Sequence, residues 1–394
     1  MKIALVVLTA MAASVCSETA VEEFAAGNLK FTAQLYKELL KENKGNFIVS
    51  PLSIEIILAL TQAGARGGTA EEFTQSLSLP ATRDRTEEAL RTFLPTLKSS
   101  KDDLKLLSAN KLFAGDRFRI LDEFRRIAND VFEAGVDNVD FAKAQQAAKT
   151  INDWVEQHTN NKIKNLIDPD SLSDATRLVL VNALYFSAKW ENQFEKYATR
   201  KEAFYTNALD SKQVDMMHIE DSFRYYECNE KNVKFLELPY LGGNISMTIV
   251  LPNDKEGLVK AEENIEELLK PHPLTHERVA VSLPKFLVES DIKLKPILQR
   301  LGLTKAFNLN EADLSGISQE GLYIDDVIQK AFINVTESGT EAAAATAVLV
   351  SFDSLPLPAT RTFKADHPFL FFITLNEVHF FAGRVVSHRA LIHN

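Results

Sequence analysis

Residues 337–354 read ESGTEAAAATAVLVSFDS, and this stretch decides how the whole chain is interpreted. Alanine is the best helix former, but the run ends in β-branched residues and carries no amphipathic stripe. At a period of two, one face is small or apolar and uncharged; it holds Thr340, Ala342, Ala344, Thr346, Val348, Val350 and Phe352. A strand in the middle of a sheet that covers a core needs such a face. The stretch therefore predicts a strand suited to a central position in a sheet.

Outward from this stretch, the chain changes gradually from helices to strands. Apolar residues at helical spacing predict helices over Val21–Lys44, Ser53–Gly64, Thr69–Leu77, Thr86–Leu97, Leu121–Val131, Ala142–Thr159 and Lys260–Leu269. Runs rich in Val, Ile, Phe and Leu predict strands at Leu178–Phe186, Phe235–Pro239, Ser246–Leu251, Arg278–Leu283, Phe369–Leu375 and Val378–Val386. No linker and no internal repeat divides the chain. We expect one α+β domain over residues 17–394, with about a dozen strands.

The composition excludes several classes of protein. The chain has 394 residues, 45% of them hydrophobic, and a formal net charge of -10. A chain of this length can bury a large core without a disulfide or a metal. Its negative field repels phosphate backbones, so nucleic acid is not expected as a partner. No stretch after the N-terminus is long and apolar enough for a membrane helix, so no membrane partner is expected.

The first residues have the pattern of an export signal. Lys2 forms a positive region, Ile3–Ala13 is nearly all apolar, and Ser14-Val15-Cys16 matches a small-residue cleavage site. The pattern predicts a signal peptide over residues 1–16 and a secreted, extracellular protein.

Two further features depend on export. Cleavage after Cys16 leaves Cys228 as a lone cysteine, so no internal disulfide is expected. Asn244 and Asn334 begin glycosylation sequons, and each is either a used site or an unused match inside a strand.

The sequence contains no catalytic constellation. It lacks a Gly-x-Ser-x-Gly elbow, a His-Glu-x-x-His motif and a Cys-x-x-Cys pair, and its eight histidines are scattered. We therefore predict that the protein is not an enzyme and has neither a metal site nor a cofactor. The basic residues from Arg83 to Lys101 are interleaved with acidic ones, which argues against a heparin site.

Motifs between Val21 and Val386 resemble those of the serpins, and they occur in the family's order. They are residues 46–54 (NFIVSPLSI), 178–186 (LVLVNALYF), 189–190 (KW), 283–286 (LPKF), 301–303 (LGL), 306–307 (AF), 312–316 (ADLSG), 330–332 (KAF), 339–346 (GTEAAAAT) and 367–369 (HPF). Each motif alone is weak, but the complete set covers nearly the whole mature chain. The loop and the C-terminal block resemble those of arthropod serpins.

The resemblance implies three β-sheets, about nine helices and an exposed reactive-centre loop, here about residues 337–362. In this family a target serine protease attacks the loop as a substrate, and the cleaved loop inserts into the central sheet before the acyl-enzyme hydrolyses. The resemblance thus implies a monomeric suicide inhibitor whose partner is a serine protease held in a covalent complex.

The resemblance also assigns roles to residues near the loop. The hinge is Glu337, Gly339, Thr340, Glu341, Ala342, Ala343, Ala344, Ala345 and Thr346. Thr340, Ala342, Ala344 and Thr346, which enter the sheet first, are all small, and this favours an inhibitor. An ion pair between Glu337 and Lys285 is expected near Trp190, where the sheet opens. Hydrogen bonds beneath the sheet are expected from Ser50, Ser53 and Asn182. Gln329 replaces the histidine that most relatives have, so histidine-dependent pH sensitivity is not expected there.

The scissile bond is inferred by counting from the hinge. The family's bond usually lies fourteen residues beyond the hinge glycine, which gives Asp353-Ser354. The alternatives are Phe352-Asp353, which suits a chymotrypsin-like pocket, and then the bond after Leu355. Two other classes of function stay open: a non-inhibitory serpin that carries a small ligand or serves for storage, and a secreted hydrolase, which no motif supports.

Overall fold

The computed structural model describes residues 2–97, 104–242, 245–340 and 360–387. The α-helices in these residues are α1 (Lys2–Glu42), α2 (Pro51–Gly64), α3 (Gly67–Ser76), α4 (Arg83–Phe93), α5 (Asp122–Asp130), α6 (Ala144–His158), α7 (Leu258–Glu262), α8 (Ile265–Leu269) and α9 (Lys295–Arg300). Short 3-10 helices lie at Leu94–Leu97, Pro169–Ser171, Lys196–Ala198 and Lys305–Phe307.

Strands make up most of the remaining structure. They are β1 (Phe47–Val49), β2 (Leu104–Gly115), β3 (Gly135–Val139), β4 (Leu178–Lys189), β5 (Arg200–Tyr205), β6 (Ser211–Cys228), β7 (Val233–Pro239), β8 (Ile245–Pro252), β9 (Thr275–Pro284), β10 (Phe286–Lys293), β11 (Asp326–Thr336), β12 (Gly339–Thr340), β13 (Arg361–Lys364), β14 (Phe369–Leu375) and β15 (Val378–Val385). The α+β class predicted from the sequence is confirmed.

The strands form two hydrogen-bonded sheets in the described residues. The larger has nine strands in the order β1-β15-β14-β8-β7-β6-β9-β13, with β5 also on β6. Two of the three sheets implied by the resemblance are continuous here, because β6 is 18 residues long. Its first part pairs with β5 and its last part pairs with β7, while β9 pairs along residues in between.

The smaller sheet has six strands in the order β10-β11-β12-β4-β2-β3. β4 and β11 pair directly and in parallel, from Val179 opposite Asp326 to Tyr185 opposite Phe332. Beyond this pairing the two strands separate, and the two-residue strand β12 lies between them. We call this region, where β12 lies between β4 and β11, the gap.

The helix α2 lies between the two sheets. All of its residues are buried, Pro51 occupies its first turn, and the Ser50 Oγ at its N-cap accepts a hydrogen bond from the Ser53 N–H at 3.4 Å. Proline at this position is tolerated because the missing N–H would have no partner within the helix. The N-terminus of α2 is thereby held beneath the smaller sheet.

The helix α6 covers the other face of that sheet. Ala147, Ile151 and Val155 form its apolar stripe and pack in one core cluster with Phe113 of β2 and Val181 of β4. This amphipathic pattern was the basis for predicting a helix at Ala142–Thr159.

Element boundaries differ from the sequence-based predictions in several places. The helix predicted over Lys260–Leu269 is divided into α7 and α8. The helix predicted from Val21 is the C-terminal part of the much longer α1. The strands β2, β6, β10 and β11 lacked a predicted range because charged and polar residues interrupt their apolar pattern. Within the described residues, no helix meets the length and hydropathy needed to cross a membrane.

Candidate functional site

The start of the predicted loop strand is already part of the smaller sheet. Gly339 lies opposite Lys189 of β4 and Thr336 of β11, and Thr340 is paired with Ala188 and Val335. Thr340 is completely buried. Glu337, Ser338 and Gly339 are buried as well, so our expectation of an exposed loop from residue 337 is wrong for residues 337–340. Where β4 and β11 part, their facing backbone N–H and C=O groups would lack hydrogen-bond partners, and β12 pairs with both strands there.

Gly339 is the point at which the chain turns into the gap. Its backbone φ is +143°, a value that residues other than glycine rarely adopt. A Cβ atom at this position would lie 2.1 Å from the backbone oxygen of Ala188. Both the backbone angle and the close approach to β4 therefore require glycine.

Thr340 makes a side-chain hydrogen bond beneath the sheet. Its Oγ1 lies 2.7 Å from the hydroxyl of Tyr240, which is also fully buried. Desolvation by burial raises the pKa of Tyr240, so its hydroxyl stays protonated. The sequence analysis did not single out Tyr240, since a lone tyrosine beside Leu241-Gly242 carries no local signal of a contact with the hinge.

Trp190 connects Tyr240 to the turn before the hinge. Its ring stacks on Tyr240 with a centroid distance of 4.4 Å and an interplanar angle of 14°. Its Nε1–H donates to the Thr336 carbonyl at 3.0 Å, and its backbone N–H donates to the Ser338 carbonyl at 3.1 Å. Trp190 thus acts both as a core aromatic residue and as a support for the hinge turn.

Glu337 is held by several donors at the same end of the gap. The Lys285 Nζ lies 3.0 Å from its carboxylate, and the Thr199 hydroxyl donates to it at 3.0 Å. Burial raises the pKa of Glu337, but hydrogen bonds from its own N–H, from Lys285 and from Thr199 outweigh burial, so the net pKa is lowered. The expected ion pair is present, and it ties the hinge to the start of β10.

A buried polar cluster lies where β4 and β11 are still paired. The Gln329 Oε1 accepts from the Ser50 N–H at 2.8 Å, and its Nε2 donates to the Ser50 carbonyl at 3.0 Å and to Asn182 Oδ1. The Asn182 Nδ2 donates to both Ser53 Oγ and Asn110 Oδ1. We call these five residues the shutter cluster. It joins β2, β4, β11 and the N-terminus of α2 through side chains.

Gln329 stands where the family resemblance leads us to expect a histidine. Its amide lies in register with Asn182 on the neighbouring strand, so one side chain both accepts and donates across the β4–β11 contact. An amide has no proton to gain near neutral pH, so these bonds do not depend on pH in that range. Asn110 was missed by sequence reasoning, because polar and charged residues on both sides of it hide its burial in β2.

Several predicted residues lie outside the described part of the chain. They are the hinge residues Glu341, Ala342, Ala343, Ala344, Ala345 and Thr346, the scissile-bond candidates Phe352, Asp353, Ser354 and Leu355, and the sequon residue Asn244. Asn334 is described: it lies within β11 and is half-buried. Cys228 is a free cysteine at the end of β6.

The arrangement at the gap is one that can accept a strand. In the described residues, no group of three or more His, Cys, Asp or Glu side chains is arranged to hold a metal ion. The gap instead presents backbone groups of β4 and β11, a glycine turn and a buried hydroxyl, all of which serve a strand that enters from Thr336.

Comparisons with known proteins agree with this site. The family described as Serpin (serine protease inhibitor) matches residues 26–388. Antichymotrypsin-2 from Bombyx mori is 37% identical over 372 residues, covering 91% of this chain and 96% of the relative. Serpin48 of Tenebrio molitor, described as a highly specific serpin, is 45% identical with a TM-score of 0.88, covering 93% of this chain and 99% of its own. Human thyroxine-binding globulin, in complex with its hormone, has a TM-score of 0.86 at 27% identity, covering 94% and 99%.

The chain therefore belongs to the serpin family, and the serpin fold implied by the resemblance is confirmed. Proteins of this family are protease inhibitors rather than enzymes, and they act on target proteases.

Proposed function

We propose that this serpin is a secreted, irreversible inhibitor of serine proteases that traps its target by inserting residues 340–352 between β4 and β11. The single observation that carries the proposal is β12: Gly339 and Thr340 already lie between these strands. Ala342, Ala344 and Thr346, which follow Thr340 on the same face of the predicted strand, have small side chains. A charged residue there would be buried without a partner, at a cost of several kcal/mol.

The covalent step uses the target's own catalytic serine. Its Oγ attacks the carbonyl carbon of the residue before the scissile bond, that peptide bond breaks, and the new amine takes the proton carried by the target's histidine. An ester then joins the serpin to the protease. Insertion of the freed strand draws the protease along the sheet before water hydrolyses the ester, so the outcome depends on two competing rates.

The scissile bond belongs to this proposal. Counting from Gly339 gives Asp353-Ser354, with Phe352-Asp353 and the bond after Leu355 as alternatives. The name of the silkworm relative, antichymotrypsin-2, supports the Phe352 alternative, because a chymotrypsin-like pocket accepts a large aromatic side chain. The released peptide would begin at a different residue in each case.

Export, modification and partners complete the proposal. Residues 1–16 act as a signal peptide. Export would expose the sequons at Asn244 and Asn334 to glycosylation, and each of them is either a used site or an unused match. We expect no heparin cofactor, because the basic residues from Arg83 to Lys101 are interleaved with acidic ones; Arg83 is paired with Glu87 at 2.6 Å and Arg85 with Glu23 at 2.7 Å. The inhibitor acts as a monomer on one protease at a time.

A ligand carrier is the second candidate function. A groove of about 1090 Å³ lies between α1, α8 and the nine-stranded sheet, and Leu29, Phe235 and Phe372 are among its apolar lining residues. The likeness to thyroxine-binding globulin supports this alternative. A carrier of this kind would be cleaved at its loop without a gain in thermal stability.

The decisive experiment incubates the purified protein with serine proteases of trypsin-like, chymotrypsin-like, elastase-like and Asp-directed specificity. The proposal expects a complex that survives SDS with at least one of them, and mass spectrometry of the released C-terminal peptide then identifies the bond. A peptide beginning at Ser354 supports Asp353, and one beginning at Asp353 supports Phe352. Cleavage by every protease with no stable complex would contradict inhibition.

A further inference from the structure

Tyr240 provides a buried hydroxyl directly beneath the gap. Among the described residues, the only hydrogen-bond partner of its hydroxyl is Thr340 Oγ1, at 2.7 Å. The tyrosine ring lies between Trp190, stacked at 4.4 Å, and Phe186, edge-on at 5.1 Å. A phenol hydroxyl buried in such apolar surroundings destabilises the folded state when it has no hydrogen-bond partner. The hinge is therefore the element that satisfies this hydroxyl.

The backbone around Tyr240 holds the hydroxyl in place independently of the hinge. The Tyr240 N–H donates to the Ile245 carbonyl at 3.0 Å, and the Leu241 N–H donates to the Lys189 carbonyl at 2.8 Å. Lys189 is the residue opposite Gly339 in β4. The same strand end thus positions both the phenol and the hinge backbone, so the docking point does not need to rearrange when Thr340 arrives.

We propose that Tyr240 is a positioning residue for loop insertion, which docks the hydroxyl of residue 340 and so sets the register of the entering strand. A one-residue slip would place Glu341 over the phenol and turn the charged face toward the core. The inference deepens the proposed inhibitory function and rests on it. Docking before cleavage removes one ordering step from insertion, which favours insertion over hydrolysis of the acyl-enzyme.

The test separates hinge docking from inhibition. In Tyr240→Phe and in Thr340→Val, hydrogen exchange of the Gly339 and Thr340 amides should be about tenfold faster than in the wild type, the effect of losing one hydrogen bond. With a protease that the wild type traps, the ratio of cleaved to complexed inhibitor should rise by up to about tenfold. Thr340→Ser keeps the hydroxyl and should behave as the wild type.

Two further variants distinguish positioning from a general loss of stability. Tyr36→Phe removes another buried tyrosine hydroxyl, which donates to Glu262 at 3.0 Å far from the gap, and it should change neither hinge exchange nor the cleaved-to-complexed ratio. In the double variant Tyr240→Phe/Thr340→Val, no hydroxyl is left without its partner, so the increase should be less than the product of the two single effects.

The possible failures are distinct. The role of Tyr240 would be overturned if Tyr240→Phe had the same hinge exchange and the same cleaved-to-complexed ratio as the wild type. It would also be overturned if Tyr36→Phe changed that ratio equally. If the wild type traps no protease, the proposed function fails, while hinge exchange in the same variants still decides whether Tyr240 docks residue 340.

Discussion

At the scale of single residues, the hinge combines two requirements that only certain side chains meet. Gly339 must lack a Cβ because Ala188 lies too close, and residue 340 must be small and uncharged because it is fully buried. The first requirement is one of backbone geometry and the second is one of solvation, so substitutions at these neighbouring positions fail for different reasons.

Thr340→Arg is expected to convert the inhibitor into a substrate. The guanidinium would have to be buried beside Tyr240, at a cost of several kcal/mol, so insertion slows and hydrolysis of the acyl-enzyme wins. Gel analysis after reaction with the target should show cleaved serpin in place of the complex. The control Thr150→Arg places the same charge on the exposed face of α6, and loss of the complex there as well would contradict the explanation.

Glu55 predicts a pH dependence of stability. Desolvation by burial raises the pKa of Glu55 well above its ordinary value, although Asn28 donates to its carboxylate at 2.6 Å. The folded state therefore keeps a proton that the unfolded chain loses above its ordinary carboxyl pKa. The free energy of unfolding therefore falls as the pH rises from the pKa of Glu55 in the unfolded chain toward its higher pKa in the folded protein, by about 1.4 kcal/mol per pH unit.

Glu55→Gln should raise the thermal midpoint at pH 7 and reduce its decline between pH 5 and 7. The exposed control Glu71→Gln should leave both unchanged. His379, bonded through its backbone N–H to the same Asn28, acts in the opposite direction: burial lowers its pKa to about 4, so its contribution to stability is lost as pH falls below 6.5. Equal pH profiles for Glu55→Gln and the wild type would contradict the buried neutral carboxyl.

At the scale of secondary-structure elements, β4 and β11 are paired at one end and parted at the other. The shutter cluster joins them where they are paired, and the hinge occupies the space where they part. Insertion of further loop residues must break the contacts of Gln329 with Asn182 and Ser50, so these hydrogen bonds oppose opening.

Gln329→Ala should lower the thermal midpoint and promote spontaneous opening of the sheet. The change leaves the buried Asn182 and Ser50 groups without their partner, a loss of roughly 2–4 kcal/mol for two or more hydrogen bonds. Differential scanning calorimetry and native gels of heated samples would show the lower midpoint and earlier polymer formation. The exposed control Gln319→Ala, which loses one bond to the Ser315 carbonyl, should resemble the wild type.

Gln329→His provides the complementary measurement. An imidazole at this position titrates between pH 5 and 8, whereas the amide does not, so the thermal midpoint of the variant should change with pH in that range differently from that of the wild type, whose pH dependence comes from groups such as Glu55. Identical pH profiles of the midpoint in Gln329→His and the wild type would contradict this expectation.

At the scale of the whole molecule, the described structure is one in which the smaller sheet still has room for a strand. β4 and β11 pair directly below the gap, and the segment that follows Thr340 has the small, uncharged face needed between them. Insertion would replace that parallel pairing by two antiparallel contacts and bury the entering face. The native state is thus expected to be kinetically rather than thermodynamically favoured.

Cleavage of the loop by a metalloprotease, which forms no acyl-enzyme, should therefore stabilise the molecule. We expect a gain of several kcal/mol and a rise in the thermal midpoint on the order of 10 °C, measured by calorimetry. Cleaved Thr340→Arg should gain much less because its hinge cannot be buried. An unchanged midpoint in the cleaved wild type would favour the ligand-carrier alternative.

Predictability from the sequence differed between these scales. Helices α2 and α6 were predictable from apolar residues at helical spacing, and strand β4 from its nearly continuous run of apolar residues. β6 was not, since it leaves one sheet neighbour for another along its length and its polar residues interrupt the pattern. The ion pair of Lys285 with Glu337 was expected from family motifs, whereas Asn110 in the shutter cluster was not.

The sequence by itself determined the family, the α+β class and the small, uncharged face of the loop, because these depend on residue type and local spacing. Only the tertiary structure decided that Thr340 is already inside the sheet and that its hydroxyl meets Tyr240, 100 residues away along the chain. The physical reason is that a hydrogen bond between distant side chains depends on how far two strands have parted. That separation is set by the packing of β4, β11 and α2 together, and the pattern of no single segment contains it.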